Sequence, residues 1–356
     1  MAKRREAYIF IPDHKKQGKG FLVWLLLFLV IASATFIATN DIRNRQVRLE
    51  KQKVSILGLQ RDLEGFTILH ISDLHGQELG ENQASIAKAL ENKSYNIVCM
   101  TGDMVGETGN YKPFLDLIKI LKKDTPILFI AGDSDPAPVM SSAHGTPNAL
   151  ANYILDAQAA GAIYLDAPYP IKLGNTTLWF SPEFLYTVDA DQLIASCQSQ
   201  LTTLTQSNAV QTADGAAAVR AVEYRLDAAT RLLESRRQMK EGQVHIALSH
   251  VPLTYEYVRD LWEWQGGTGA SLRSISLVLA GHYCGGQWRL PGTGAIYAPD
   301  LGFFPEDRLI EGLAKVSTVS QYISPGLGAS DAYAFQPGRL YNTPSVTLIT
   351  LTAKPQ

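Results

Sequence analysis

Short apolar runs that stop abruptly at an Asp or a His recur along the chain. Thr67 to Gly76 reads Thr-Ile-Leu-His-Ile-Ser-Asp-Leu-His-Gly, an apolar stretch ending in Asp73 and His75. Four later stretches repeat the design: Ile97 to Asp103 (IVCMTGD), Ile127 to Asp135 (ILFIAGDSD), Val244 to Pro252 (VHIALSHVP) and Ser276 to Gln287 (SLVLAGHYCGGQ). Runs this short and this rich in Val, Ile and Leu predict strands buried on both faces. Helical patterns separate them. Asn82 to Leu90 is one, and Tyr111 to Lys123 is another, with Phe114, Leu117, Ile118 and Leu121 on one face and Pro126 beyond its end. Asn148 to Ala160 predicts a third, capped by Gly161, followed by strands at Ala162 to Leu165 and Thr177 to Phe180. Ser345 to Leu351 supplies a last strand, and the Gly- and Pro-containing run after Gln287 suits a loop walling a cleft.

Two regions break the alternation. In residues 187–241, Leu193, Cys197, Leu201 and Leu204 recur at helical spacing, as do Val222, Leu226, Ala229 and Leu233. This predicts a helical hairpin inserted between strands, which reads as a packing cover, a substrate lid or a membrane-lying surface. At the other end, residues 1–20 are polar and basic, and Phe21 to Ala38 carries no charge, near the shortest helix that crosses a bilayer. Two readings stay open there, a single-pass anchor and a cleaved signal peptide ending near Ala32-Ser33-Ala34. Six basic residues precede the run and Arg43, Arg45, Arg48, Lys51 and Lys53 follow it, so the charge bias leans to a cytoplasmic amino terminus and an extracytoplasmic main domain. Residues 39–60 read as a charged tether and lead-in, and residues 61–356 as the domain proper.

Composition narrows the function. The chain has 356 residues, 46% hydrophobic and 19% charged, enough for a full core. A net charge of −2 gives no electrostatic footprint for nucleic acid. Cys99, Cys197 and Cys284 are too few and too far apart for a disulfide framework or a structural zinc motif. His70 and His245 lie inside apolar runs and read as core residues.

Open α/β sheets bind ligands beyond the carboxyl ends of their strands, so five such ends can converge on one crevice. In an extended chain, residues two apart face the same side, which would let Asp73 and His75 close on one ion. The ordered set SDLHG, TGD, GDSD, SHVP and GHYCGGQ resembles the calcineurin-like metallophosphoesterases, in particular the membrane-anchored bacterial branch whose last block reads GHTHGGQ. The resemblance extends to YISPGLG and RLYNTPSVTLITL near the carboxyl end. It implies an α/β fold, a two-sheet β-sandwich flanked by helices in four layers (α/β/β/α), preceded by one transmembrane helix. It also implies two divalent ions, with Asp73 and His75 on the first, Asp103 bridging, and His250 and His282 on the second.

Three positions depart from that pattern. The family's Asn-His of the third block is Asp133-Ser134 here, and the second His of the last block is Cys284. Asp133 and Cys284 remain able to bind metal, and a thiolate is a good ligand for zinc or iron and a poor one for magnesium or calcium, so zinc, iron or manganese are the expected ions. Four negative ligands cancel two divalent ions, which weakens the pull on a phosphate. Ser134 cannot replace the histidine that, in the resembled family, contacts the phosphate and helps protonate the leaving group. Gly106 stands where the family often has Asp, and Glu107 and His144 are nearby groups of the right type. Asp103, Asp133, Ser134 and His250 are thus the expected catalytic positions. The expected activity is hydrolysis of a phosphodiester or pyrophosphate by a metal-bridging hydroxide, attenuated by these changes, on a phosphorylated small molecule or lipid-linked substrate at a membrane. The alternative is a weakened relative that binds metal or a phosphorylated ligand without turnover.

Overall fold

The computed structural model describes residues 18–142, 148–207, 209–264, 272, 274–292, 294–306, 309–330 and 338–353. The first helix, α1 (Gly18–Asn44), forms a compact unit of its own up to Ile42. From Gly20 it is long and apolar enough to cross a membrane, a property signal sequences share. Its large side chains, Phe21 to Ile31, are exposed.

From Arg43 onward the chain builds two packed sheets. The first half contributes β1 (Arg48–Ser55), β2 (Thr67–Ile71), α2 (Ala84–Ala89), β3 (Ile97–Thr101), α3 (Lys112–Ile120), β4 (Ile127–Ile130), α4 (Asn152–Ala159) and β5 (Ala162–Tyr164). Next come β6 (Tyr169–Leu173), β7 (Thr176–Pro182), α5 (Ala190–Gln206), α6 (Ala213–Gln238), β8 (Val244–Leu248), α7 (Tyr255–Trp264) and β9 (Leu277–Ala280). The chain ends with β10 (Trp288–Arg289), β11 (Ala295–Ala298), β12 (Gly302–Phe303), β13 (Gly312–Val316), β14 (Val319–Ile323) and β15 (Ser345–Thr352). One sheet runs β1-β15-β2-β3-β4-β5, the other β13-β14-β9-β8-β7-β6, and β10-β11-β12 make a small third sheet. In both large sheets the central strands are parallel, and antiparallel pairs lie outside them, β15 on β2 in the first sheet, β13 on β14 and β6 on β7 in the second.

Alternation along the buried strands explains the layers. Ile68, Ile97, Cys99 and Leu128 point between the sheets and meet Phe180, Ile246, Leu248, Leu277 and Leu279 from the other sheet. Leu69, Ile71, Val98, Met100 and Phe129 point outward to Ile86, Phe114, Leu117 and Ile154 of the first helical layer. The second sheet's outer face is covered by Leu232 of α6 beside Leu185, and by Val258 and Leu261 of α7. This is the four-layer sandwich that the family resemblance implies, two mixed sheets flanked by helices.

The region 187–241 holds α5 and α6, which pack on each other. Their starts are capped by Asp189, accepting from the Gln192 amide at 3.0 Å, and by Thr212, accepting from the Gly215 amide at 3.0 Å. Arg231 ties α6 to the connection between β5 and β6 through two bonds to Asp166, at 2.7 and 2.8 Å.

Two sequence expectations fail here. Residues 39–53 are not a free tether: α1 runs to Asn44 and Arg48–Ser55 is the edge strand β1, paired in parallel with β15. Its charged residues, Arg48, Glu50, Lys51 and Lys53, belong to an edge whose outer side meets water, and such strands shed the apolar signature. The run after Gln287 is likewise more than a loop, since it folds into β10, β11 and β12 around Trp288, Tyr297 and Phe303. Helix ends also move inward: α3 stops at Ile120 and α4 starts at Asn152.

Candidate metal centre

Five strands deliver the site. Asp73 and His75 follow β2, Asp103 follows β3, Asp133 follows β4, His250 follows β8, and His282 and Cys284 follow β9. The backbone is not extended there. Asp73 (φ 53°), His75 (φ 49°), Asp103 (φ 54°), His282 (φ 77°) and Cys284 (φ 48°) all lie in the left-handed region, which L-residues adopt at a cost. Asp73 and His75 therefore converge through left-handed turns rather than through strand alternation. The turns after β2 and β3 hold each other: the Asp73 amide donates to Gly102 O at 3.1 Å and the His75 amide to Asp103 O at 2.8 Å. Two glycines make room. A Cβ on Gly102 (φ +89°) would lie 2.6 Å from His250 Nδ1, and one on Gly281 would lie 2.7 Å from Asp73 Oδ2.

The donors form two overlapping clusters. Asp73, His75 and Cys284 offer ligand atoms within 4.8 Å of one another, as do Asp133, His250 and His282; Asp73, Asp103 and His250 make a third such set linking the two. Asp103 Oδ2 lies 3.6 Å from His75 Nε2 and 3.3 Å from His250 Nε2, so it stands between the clusters. His250 Nε2 is 2.8 Å from Asp133 Oδ1 and 3.2 Å from His282 Nδ1. Cys284 Sγ is 3.7 Å from His75 Nε2. All seven expected ligand positions thus meet in one place.

Outer contacts fix which ring nitrogens face inward. Nδ1–H of His250 donates to the Thr101 carbonyl at 2.8 Å, leaving Nε2 toward the cluster. Nε2 of His282 pairs with Asp300 Oδ2 at 2.9 Å, leaving Nδ1 toward Asp133 and His250. Two ring nitrogens and a carboxylate then crowd within about 3 Å, an arrangement that a bound cation or a shared proton relieves. The proton affinities agree. Burial pulls His250 down, yet the hydrogen-bonded Asp103 and Asp133 outweigh it and raise it well above the ordinary imidazole value. Hydrogen bonds from His250 and His282 hold Asp133 far below the usual carboxylate range. Burial, then the charge of Asp73, push the Cys284 thiol well above its ordinary value, so its proton leaves only to a strong positive charge. Fully buried Asp73 is raised, by burial first. Oxygen, nitrogen and sulfur donors of this kind fit divalent metal ions.

Ser134 lies beside the cluster, its amide donating to Asp103 Oδ1 at 2.9 Å. Together with Asp103, Glu107, Asp133, His282 and Asp300 it lines a polar cavity of about 250 Å³. Glu107 therefore does reach the opening, whereas His144 lies outside the described residues. A larger cavity of about 530 Å³, between α6 and the second sheet, is lined by none of the convergent ligands. His70 and His245 sit in their strands away from the cluster, His70 against Thr101 at 2.9 Å and His245 against the Tyr186 hydroxyl at 3.3 Å.

Four supporting residues had no assigned role from the sequence. Asp135 accepts amides from Val105 at 2.7 Å, Gly132 at 2.9 Å and Gly106 at 3.2 Å, locking two ligand loops together. Buried Arg339 donates to the carbonyls of Gly328, Pro325 and Asn342 at 2.7 to 2.8 Å. Asn342 Nδ2 reaches the carbonyls of Cys284 at 2.8 Å and Gly286 at 3.0 Å. Asp300 orients His282. The GDSD and RLYN strings carried the signal for the first three; Asp300, in an irregular stretch, had none.

A two-sheet α/β sandwich with carboxylates, histidines and a thiol gathered at its strand ends defines a metallohydrolase-type scaffold. The chain belongs to the calcineurin-like phosphoesterase family, whose model matches residues 66–285. No curated protein matches it. Among solved structures it is similar to a phosphopantetheinyl hydrolase from Mycobacterium tuberculosis, at 14% identity and a TM-score of 0.39, over 83% of this chain and 98% of that one.

Proposed function

We propose that the protein is a membrane-anchored, metal-dependent phosphoesterase that holds two divalent ions of the zinc, iron or manganese type. Asp73, His75 and Cys284 take one ion, Asp133, His250 and His282 the other, and Asp103 is shared. The observation that carries this reading is the crowding of inward lone pairs at His250, His282 and Asp133, with a second donor set on the far side of Asp103. A divalent pair supplies Lewis acidity toward phosphoryl oxygens and a nucleophile from water at neutral pH. The chain's own residues do the rest. Thr101 and Asp300 hold the two imidazoles in register, and the Ser134 hydroxyl offers a hydrogen bond to a phosphoryl oxygen but no proton at neutral pH. Turnover is therefore attenuated on esters with poor leaving groups.

Ser134 also favours a second reading, a relative that binds metal or a phosphorylated ligand without turnover. Metal analysis of the purified chain, paired with hydrolysis of nitrophenyl mono- and diesters across metals, separates the two. Two equivalents of metal with no turnover on any ester support the binding protein. The apolar helix favours a single-pass anchor with the main domain outside the cytoplasm and a substrate near the bilayer. Intact-mass measurement of the protein recovered from membranes tests it: a mature chain beginning near Phe36 would mean the helix is a cleaved signal.

A further inference from the structure

Beside the ligand cluster lies a second cavity of about 420 Å³ with His250 in its lining. Ile130, Ala131, Pro138, Tyr164, Phe184 and Leu248 make most of its wall. A further cavity of about 270 Å³ shares Ser249 and Glu183 with it as lining residues. His250 belongs to both worlds, since its Nε2 is 2.8 Å from Asp133, which lines the polar cavity. A phosphoryl group held at the ligands would lie against His250, which also lines the apolar trough.

Charge limits what the trough accepts. Among the described residues lining the three cavities there is no Lys or Arg, while Asp103, Glu107, Asp133 and Asp300 line one and Asp166 and Glu183 the next. Asp166 is neutralised by Arg231, at 2.7 and 2.8 Å. Glu183 accepts the Tyr257 hydroxyl at 3.2 Å, and burial raises its carboxyl above the ordinary value. The described lining residues offer no Lys or Arg to a second phosphate, a pyrophosphate or a nucleic-acid backbone, groups that such side chains commonly bind. An apolar group, by contrast, would displace water from apolar walls.

Resting on the phosphoesterase reading, we infer that the substrate is a monoanionic phosphodiester with one bulky apolar arm, which lies in the trough of Ile130, Tyr164, Phe184 and Leu248 beside His250. Pyrophosphates and nucleotides are disfavoured by the same site. Two residues determine this specificity. Ala131 leaves the trough open, and Phe184, 57% exposed, forms its outer wall.

The test is calorimetric titration of the metal-loaded full-length chain in nanodiscs, with empty nanodiscs as the blank. The probes are two methylphosphonate monoesters of equal charge, one bearing a 2-naphthylmethyl group and one a methyl group, with methylenebisphosphonate as the more highly charged comparison. The naphthylmethyl ester should bind at least tenfold more tightly than the other two. Ala131→Phe, which fills the trough, should shrink that ratio toward one. Phe184→Ser should shrink it as well, and its exposed position puts folding at little risk. Equal affinities in the parent chain, a ratio that survives both substitutions, tighter binding of the bisphosphonate, or no measurable binding of either ester would overturn the proposal. Hydrolysis of 2-naphthylmethyl 4-nitrophenyl phosphate is followed alongside. No turnover with the binding ratio intact refutes the phosphoesterase reading alone, and turnover without a ratio refutes the subsite alone.

Discussion

Cys284 is fully buried between Asp73 and His75, with its proton held by the very environment that a metal would reverse. A hydroxyl is a far weaker ligand than a thiolate, so Cys284→Ser should remove about one equivalent of metal, read by plasma mass spectrometry after dialysis. Unchanged stoichiometry and affinity would show that the sulfur only packs. Ser134 bears on the rate instead. General acid catalysis contributes roughly 10²- to 10⁴-fold, or about 3 to 5 kcal/mol. Restoring the family residues as Asp133→Asn, Ser134→His and Cys284→His should raise turnover most for alkyl phosphodiesters and little for nitrophenyl esters, whose leaving group needs no proton. If this variant binds metal normally and gains on neither class, leaving-group protonation does not limit the rate.

At the scale of elements, the loop after β9 is held from outside by a residue near the start of β15. Arg339 and Asn342 together donate to six different backbone carbonyls around the ligand loops. Arg339→Met keeps much of the volume but strands buried carbonyls at roughly 1 to 3 kcal/mol each. A loss of about 3 to 5 kcal/mol in denaturant unfolding and weaker metal retention should follow; unaltered stability would mean that water replaces the guanidinium. The strands bearing ligands were legible because they are buried on both faces and carry no polar alternation. β1 was not, because an edge strand exposed on one side needs only Leu49 and Val54 to be apolar and can spend its other positions on charge. The convergence of the ligands was legible only through their order. Left-handed turns at Asp73, His75 and Asp103 leave no composition signal when the residue in the strained position is itself the functional one.

For the whole molecule, the sheets carry a buried acid sensitivity independent of the ligands. His70 is fully buried on β2, edge-on to Tyr322 with ring centroids 5.9 Å apart, and burial lowers it from 6.5 to about 3. Its Nε2 meets Thr101 Oγ1 at 2.9 Å, and Nδ1 has no hydrogen-bond partner among the described residues. A folded-state value below the unfolded one means that the unfolded chain takes up a proton the native chain refuses. Between pH 6.5 and about 3, stability should therefore fall as pH falls, by up to about 1.4 kcal/mol per unit from this group. Above pH 6.5 both states are neutral and the contribution vanishes. His70→Phe keeps an aromatic ring and removes the titration, with some cost from the lost Thr101 bond at every pH. Denaturant unfolding of both chains without metal, in the same detergent, should show the parent losing ground to His70→Phe by roughly 2 to 3 kcal/mol between pH 7 and pH 4.5. Taking the difference between the two chains cancels the histidines of the metal centre, whose raised values act in the opposite sense. Parallel stability curves over that range would show that His70 takes up its proton in the native state, and the acid limb would then have to come from elsewhere in the fold.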